Sequence, residues 1–201
     1  MAFAPFDLTG TVALISGGNR GIGLGVARAL AEAGADLVLW GRDEGRNAEA
    51  SRLLAPAGRR VVTRAVDVSD ESSVVEGMAA AVHELGRIDA VFANAGVGGT
   101  PVPFVESTTA HLREVFAPNV DGVYWTLREA ARHMVQRAQA GDPGGSLVAV
   151  SSLAAIEGVG RNQAYAASTG PLSRWFGGRR WNSPAMPSGS MPSSPAGSLR
   201  T

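Results

Sequence analysis

Neither cysteine nor lysine occurs among the 201 residues of this chain. Without cysteine, disulfides, thiolate nucleophiles and cysteine-ligated metals are excluded, and only three scattered histidines, His83, His111 and His133, can offer an imidazole. No metal site is expected from them. All 18 basic residues are arginine, so chemistry that needs a side-chain ammonium has none to draw on. They balance 18 acidic residues to a formal net charge of zero, and like charges do not run together. The chain therefore has no electrostatic handle for nucleic acid or an acidic membrane surface, and neither is expected as a partner. No apolar run is long enough to span a bilayer, and the segment from Met1 to Leu8 lacks a basic stretch followed by an apolar one. The expected compartment is the cytoplasm.

A hydrophobic content of 45% is enough to bury a core. From about position 11 to 175, short β-branched runs alternate with longer stretches rich in alanine and leucine, the pattern of βαβ units around a parallel sheet. Strands are predicted at Thr11 to Ile15, Asp36 to Trp40, Arg60 to Val66, Ala90 to Ala93 and Ser146 to Val150. Helices are predicted over Gly21 to Ala33, stopped by Gly34, and at about 71 to 85, 108 to 138 and 163 to 170. The expected fold is a doubly wound α/β sheet of Rossmann type, incomplete at its C-terminal edge. After Trp175 the composition changes: residues 177 to 201 are rich in Gly, Pro, Ser and Arg, contain no acidic residue and show no periodicity. The expected division is a dinucleotide-binding domain over 1–175 and a disordered tail over 176–201.

Between the first strand and first helix stands Ser16-Gly17-Gly18-Asn19-Arg20-Gly21-Ile22-Gly23. Glycines there let the backbone approach a diphosphate, while the amides and the positive dipole end of the helix face the anion. A glycine-rich turn alone is also compatible with an ordinary strand-to-helix connection. Its placement after a strand and before a helix favours a dinucleotide.

This loop resembles the Thr-Gly-x-x-x-Gly-x-Gly motif of the short-chain dehydrogenase/reductase family, with Ser16 in the threonine place. The resemblance continues in order. Asp67-Val68 follows the third strand, where the family's aspartate meets the adenine ring. Ala93-Asn94-Ala95-Gly96 follows the fourth and is similar to Asn-Asn-Ala-Gly with its first residue changed. Asn119 lies in the long helix where the family keeps an active-site asparagine. Ser151-Ser152 ends the fifth strand, and Tyr165-Ala166-Ala167-Ser168-Thr169 follows with Tyr165 thirteen residues after Ser152. Coverage runs from about Asp7 to Leu172. The opening Phe6-Asp7-Leu8-Thr9-Gly10 is similar to members of the gluconate 5-dehydrogenase type, and 3-oxoacyl carrier-protein reductases look nearly as close.

An acid at the end of the second strand would hold the ribose 2′-hydroxyl of NAD, whereas arginine there accommodates the 2′-phosphate of NADP. Here the strand ends Leu39-Trp40-Gly41-Arg42, and Arg20 in the glycine loop supplies a second guanidinium. NADP is the expected cofactor, with a small carbonyl compound or alcohol as substrate. The resemblance implies that Tyr165 donates the proton, Ser152 binds the substrate oxygen and Asn119 helps to order a relay water. Free tyrosine titrates near pH 10, so at neutral pH the family sets a lysine four residues on to favour the phenolate. Position 169 is threonine, and no lysine elsewhere can replace it. Reduction by this chain is therefore expected to be weak or absent, which leaves a non-catalytic nucleotide-binding or interaction fragment as the competing reading. A homo-oligomer is implied for an intact family member.

The family continues after this helix with further strands and a Pro-Gly segment, none of which is legible here. Trp and Met each have one codon, both ending in G, so reading codons one base earlier makes the next codon begin with G. Phe176 then becomes valine, Asn182 glutamate, and Pro187 and Pro192 alanine. With the free third bases chosen suitably, residues 181 to 201 read Val-Glu-Leu-Ala-Arg-Tyr-Ala-Ile-Arg-Val-Asn-Ala-Ile-Leu-Pro-Gly-Trp-Ile-Ala-Thr-Asp, a family-like helix, strand and Pro-Gly segment. Free third bases can be tuned toward many targets, but the forced residues all fit. With suitable third bases Gly170 and Pro171 can likewise become Gly-Ala, so one frame slip at or beside codon 169, in the gene or its sequencing, accounts for both the missing lysine and the unreadable tail.

Overall fold

The computed structural model describes residues 6–175. The tail reading therefore lies outside the described residues. Five parallel strands form one sheet: β1 (Val12–Ser16), β2 (Asp36–Trp40), β3 (Val61–Arg64), β4 (Ala90–Ala93) and β5 (Ser146–Ala149), in the order β3-β2-β1-β4-β5. The chain winds outward from β1 to β3, then returns to lay β4 on the other side of β1. This reversal opens a crevice beyond the carboxyl ends of β1 and β4, where doubly wound sheets bind ligands.

β1 and β2 are buried along their whole length, which is why they read as continuous apolar runs. Their side chains alternate between two cores. Val12, Leu14, Val38 and Trp40 pack on one face with Val74 and Met78 of α3 (Glu71–Leu85) and Val123 and Leu127 of α5 (Gly122–Gln139). Ala13, Ile15, Leu37 and Leu39 pack on the other with Ala27 and Ala31 of α1 (Gly21–Glu32) and Ala50 and Leu54 of α2 (Glu44–Leu54). Covering both faces is what a parallel sheet requires.

Two carboxylates, Asp36 buried and Asp89 half-buried, brace the end of the sheet opposite the crevice. Asp36 takes Arg59 at 2.9 Å and Arg60 at 2.7 Å. Asp89 accepts the amide of Val12 at 2.9 Å and pairs with Arg137 at 2.9 Å and Arg87 at 2.7 Å, tying β1 and β4 to the last turn of α5. Burial alone would raise the Asp89 carboxyl, but Arg87, the Val12 amide and Arg137 together hold it below its ordinary value.

The structure departs from the sequence reading in four places. α2 was not expected. Its buried face is only Asn47, Ala50 and Leu54, too small and polar to give an apolar rhythm. The single long helix expected from 108 is α4 (Thr109–Phe116), a π-helical turn at Ala117–Asp121 carrying Pro118, and then α5. One inserted residue in a long amphipathic pattern barely disturbs its period, so the break is invisible in the sequence. The strand expected over Arg60 to Val66 spans only Val61–Arg64, and the other strands shift by no more than a residue. After a short helix α6 (Ala154–Glu157), helix α7 runs Gln163–Trp175, continuing through Pro171 rather than stopping at 170. Among the described residues no helix is long and apolar enough to cross a membrane.

Candidate functional site

The crevice is a cleft of about 550 Å³ at the carboxyl ends of β1, β2 and β4. Its floor is the glycine loop. Gly17 turns with φ +64°, and its amide donates to the carbonyl of Trp40 at 2.8 Å, which fixes the loop against the end of β2. A side chain on Gly23 would place its Cβ 2.2 Å from the carbonyl oxygen of Gly17, so the first turn of α1 can lie against the loop only as glycine. No side chain caps the start of α1, and its first turn carries no acid. The amides there, with Gly21 and Ile22 exposed beside them, form a positive concave surface suited to an anion.

Ser16 is buried beneath this floor. Its hydroxyl accepts the amides of Asn94 at 3.0 Å and Ala95 at 3.1 Å, organising the loop after β4. The side-chain amide of Asn94 donates back to the carbonyls of Ser16 and Gly17 at 3.1 and 3.3 Å. Asn94, Ala95 and Gly96 thus form one wall of the cleft, opposite Asp67 and Val68. The Asp67 carboxylate accepts the Ser69 amide at 2.9 Å, holding the turn after β3.

At the end of β2 the wall is cationic. Arg20, Arg42 and Arg46 all line the cleft. Arg42 has 67% of its side chain exposed and lies 3.9 Å from Asp67, a long contact that leaves its guanidinium open to another anion. The nearest acid in sequence, Asp43, is engaged at the start of α2, accepting the Arg46 amide at 3.0 Å and meeting its guanidinium at 3.5 Å.

Asn19, an expected contact of the nucleotide, lines the cleft and is held in place from within. It donates to Asn47 at 2.8 Å, and Asn47 donates to the carbonyl of Gly41 at 2.9 Å. Asn47, 3% exposed, joins the glycine loop to the end of β2 and was missed from the sequence because a polar residue on an unforeseen helix carries no signal of its own. Trp40, Arg46 and Val97 were likewise missed as lining residues.

Ser152, Tyr165 and Asn119 do not line this cleft. Ser152 and Tyr165 are half-buried, on the loop after β5 and on α7. Ser152 accepts the amide of Ala154 at 3.2 Å. Asn119 sits in the π turn, 4% exposed, with its side chain spent on the backbone: its Oδ1 accepts the Val97 amide at 2.8 Å and its Nδ2 donates to the Val97 carbonyl at 2.9 Å and to Ser168 at 2.9 Å. Thr169, where the resemblance implies lysine, is 4% exposed and donates its hydroxyl back to the carbonyls of Ala166 at 3.1 Å and Tyr165 at 3.3 Å.

Comparison with known proteins agrees with this geometry. The family model described as short chain dehydrogenase matches residues 11–175. Gluconate 5-dehydrogenase of Gluconobacter oxydans (strain 621H) is 35% identical over 132 residues, covering 66% of this chain and 51% of that protein. Among solved structures, NAD+-bound xylitol dehydrogenase matches with a TM-score of 0.78 at 27% identity, covering 83% of this chain and 62% of that one. A metagenomic short-chain oxidoreductase in complex with NADP matches with a TM-score of 0.77 at 31% identity, covering 84% and 74%. The chain spans between about half and three fifths of the length of the curated relatives it matches first.

Proposed function

This chain belongs to the short-chain dehydrogenase family, and from that premise we propose that its cleft binds NADP(H) in the service of an oxidoreductase interconverting an alcohol and a ketone. The observation that carries the choice of nucleotide is the end of β2, where Arg42 is open, with Asp67 no nearer than 3.9 Å, and the adjacent acid, Asp43, is held by the start of α2. A 2′-phosphate would meet Arg42 and Arg20, and β2 itself runs out through Trp40-Gly41-Arg42 without an acid to grip a 2′-hydroxyl. The diphosphate would lie on the amides of the glycine loop and the adenosine between Asp67-Val68 and the wall of Asn94, Ala95 and Gly96. When bound, the nicotinamide supplies or accepts the hydride. Ser152 would hold the substrate oxygen and Tyr165 would pass the proton to it. Asn119, with its side chain engaged, would act by holding the Val97 loop.

Residues 1–175 are proposed as the dinucleotide-binding unit. The proposed partner is a small ketone or alcohol, with neither nucleic acid nor membrane, and self-assembly is proposed for an intact relative. The back-bonded Thr169 favours a second reading for this chain itself, a nucleotide-binding protein with little turnover, because Tyr165 has no ammonium to favour its phenolate.

The test is calorimetric titration of the full chain with NADPH and NADH at low salt. NADPH is expected to bind at least about tenfold tighter, consistent with ~1–2 kcal/mol for a charge-assisted pair at a half-open site. Arg42→Asp is expected to reverse that order. Equal affinity for the two nucleotides overturns the assignment.

A further inference from the structure

Ser168 is wholly buried and does not line the cleft. Its hydroxyl sits between two elements of the site. It donates to the carbonyl of Tyr165 at 2.8 Å on its own helix, and accepts from Asn119 Nδ2 at 2.9 Å in the π turn. Asn119 in turn brackets Val97 through both amide and carbonyl, and Val97 continues the loop of Asn94, Ala95 and Gly96 that walls the cleft. A Cβ at Gly96 would be 2.9 Å from Asn119 Oδ1, so the lack of a side chain there is what leaves the amide its place against the loop.

The directions of these bonds leave no slack. With Oδ1 taken by the Val97 amide, both Nδ2 hydrogens have acceptors, the Val97 carbonyl and Ser168. The Ser168 hydroxyl has one hydrogen, already given to Tyr165, so toward Asn119 it can only accept. The Asn119 amide is thus fixed in one orientation by a bond from the tyrosine helix.

We propose that Ser168 is a positioning residue that couples the tyrosine helix to the nucleotide loop, through the chain Tyr165 carbonyl, Ser168 hydroxyl, Asn119 amide, Val97 backbone. The coupling runs both ways: a nucleotide that orders Val97 orders the backbone of Tyr165, and loss of the Ser168 hydroxyl loosens Val97 although Ser168 touches no ligand. The effect on nucleotide affinity rests on the cleft being the nucleotide site, whereas the effect on Val97 does not.

The experiment measures amide hydrogen exchange at Val97 by NMR in the full, ligand-free chain, together with NADPH affinity, for wild type, Ser168→Ala and Ser151→Ala. Ser151 is the comparison because its hydroxyl also anchors α7, donating to the carbonyl of Thr169 at 3.0 Å, but lies outside the chain through Asn119. Ser168→Ala is expected to speed Val97 exchange about tenfold and weaken NADPH by a similar factor, as for loss of one buried hydrogen bond, and Ser151→Ala to leave Val97 within about twofold of wild type. Unchanged Val97 exchange in Ser168→Ala, or equal acceleration in both variants, overturns the coupling. If wild type binds neither NADPH nor NADH, the cofactor reading fails while faster Val97 exchange in Ser168→Ala alone still supports the coupling.

Discussion

Removing the side chain of Asn47 tests whether the cleft is held from inside. Asn47→Ala deletes two hydrogen bonds, from Asn19 at 2.8 Å and to the Gly41 carbonyl at 2.9 Å, and leaves both partners to find water at a site where Asn47 is 3% exposed. Each net bond is worth about 1 kcal/mol, and the stranded carbonyl and small void add to that, so the loss should be about 2–3 kcal/mol. For a domain of this size that lowers Tm by roughly 4–10 °C in a thermal melt followed by circular dichroism. Asn47→Asp should be at least as damaging, because a carboxylate still accepts from Asn19 but faces the Gly41 carbonyl without a donor. The same changes free Asn19 and Gly41, which flank the proposed phosphate site, so NADPH affinity should fall about tenfold alongside Tm. An Asn47→Ala protein with unaltered Tm and affinity would show that the relay carries no load. An Asn47→Asp protein more stable than Asn47→Ala would show that acceptance from Asn19, not donation to Gly41, is the bond that matters.

Gly23→Ala should lose stability and nucleotide affinity together in a melt and a titration. Its Cβ would stand 2.2 Å from a backbone oxygen, and overpacking costs of about 1–3 kcal/mol exceed the ~1 kcal/mol that alanine gains in a helix. His133 accepts the Ile88 amide through Nε2 at 3.1 Å, and burial, then the Arg137 charge, holds its pKa below the ordinary value. Its contribution is therefore fully present above the unfolded value of about 6.5 and lost as pH falls through the lower folded value. The urea midpoint of wild type should drop more steeply than that of His133→Gln as pH falls below about 6.5, and parallel curves would remove His133 from the account.

The parts of the site that the sequence disclosed are those where backbone geometry restricts the residue type. Gly17 and Gly23 stand where a positive φ and a 2.2 Å approach admit little else, and they follow a strand buried at every position, so loop and strand identify each other. Ser152 and Tyr165 were legible only as a spaced pair, since either alone reads as a strand-end hydroxyl or a packed aromatic. Asn47 and Ser168 were not legible. Each is a small polar residue on a helix whose partner lies 28 and 49 residues away, a relation that only the tertiary fold creates. Asn119 falls between: its position was marked by the resemblance, but the π turn that turns its side chain onto Val97 leaves almost no trace in the apolar rhythm. The same reason hid α2, whose contribution to the core is two apolar side chains and one amide.

Thr169→Lys alone should not restore useful reduction, even though it returns a cation to the helix of Tyr165. Thr169 is 4% exposed and its hydroxyl is satisfied within its own helix, so the pocket around it is shaped for a short side chain. A lysine there adds atoms to a packed site, at about 1–3 kcal/mol, and brings an ammonium into it without a carboxylate among the hydrogen-bond partners of its neighbours. Burial without a partner favours the neutral amine, which removes the very charge that would favour the phenolate. Pro171, two residues on, supplies no amide to the helix, a defect of about 3 kcal/mol in a helix interior that the substitution leaves in place. The assay is NADPH oxidation against ketones, sugar acids and 3-oxoacyl thioesters, for the chain as it stands, for Thr169→Lys, and for the chain read in the alternative frame from codon 169. Turnover is expected from the last alone, with the point variant at least about a hundredfold slower, which corresponds to at least about 2.7 kcal/mol of the barrier. Comparable turnover by Thr169→Lys would show that the pocket admits a charged lysine and that the absent ammonium was the whole of the defect.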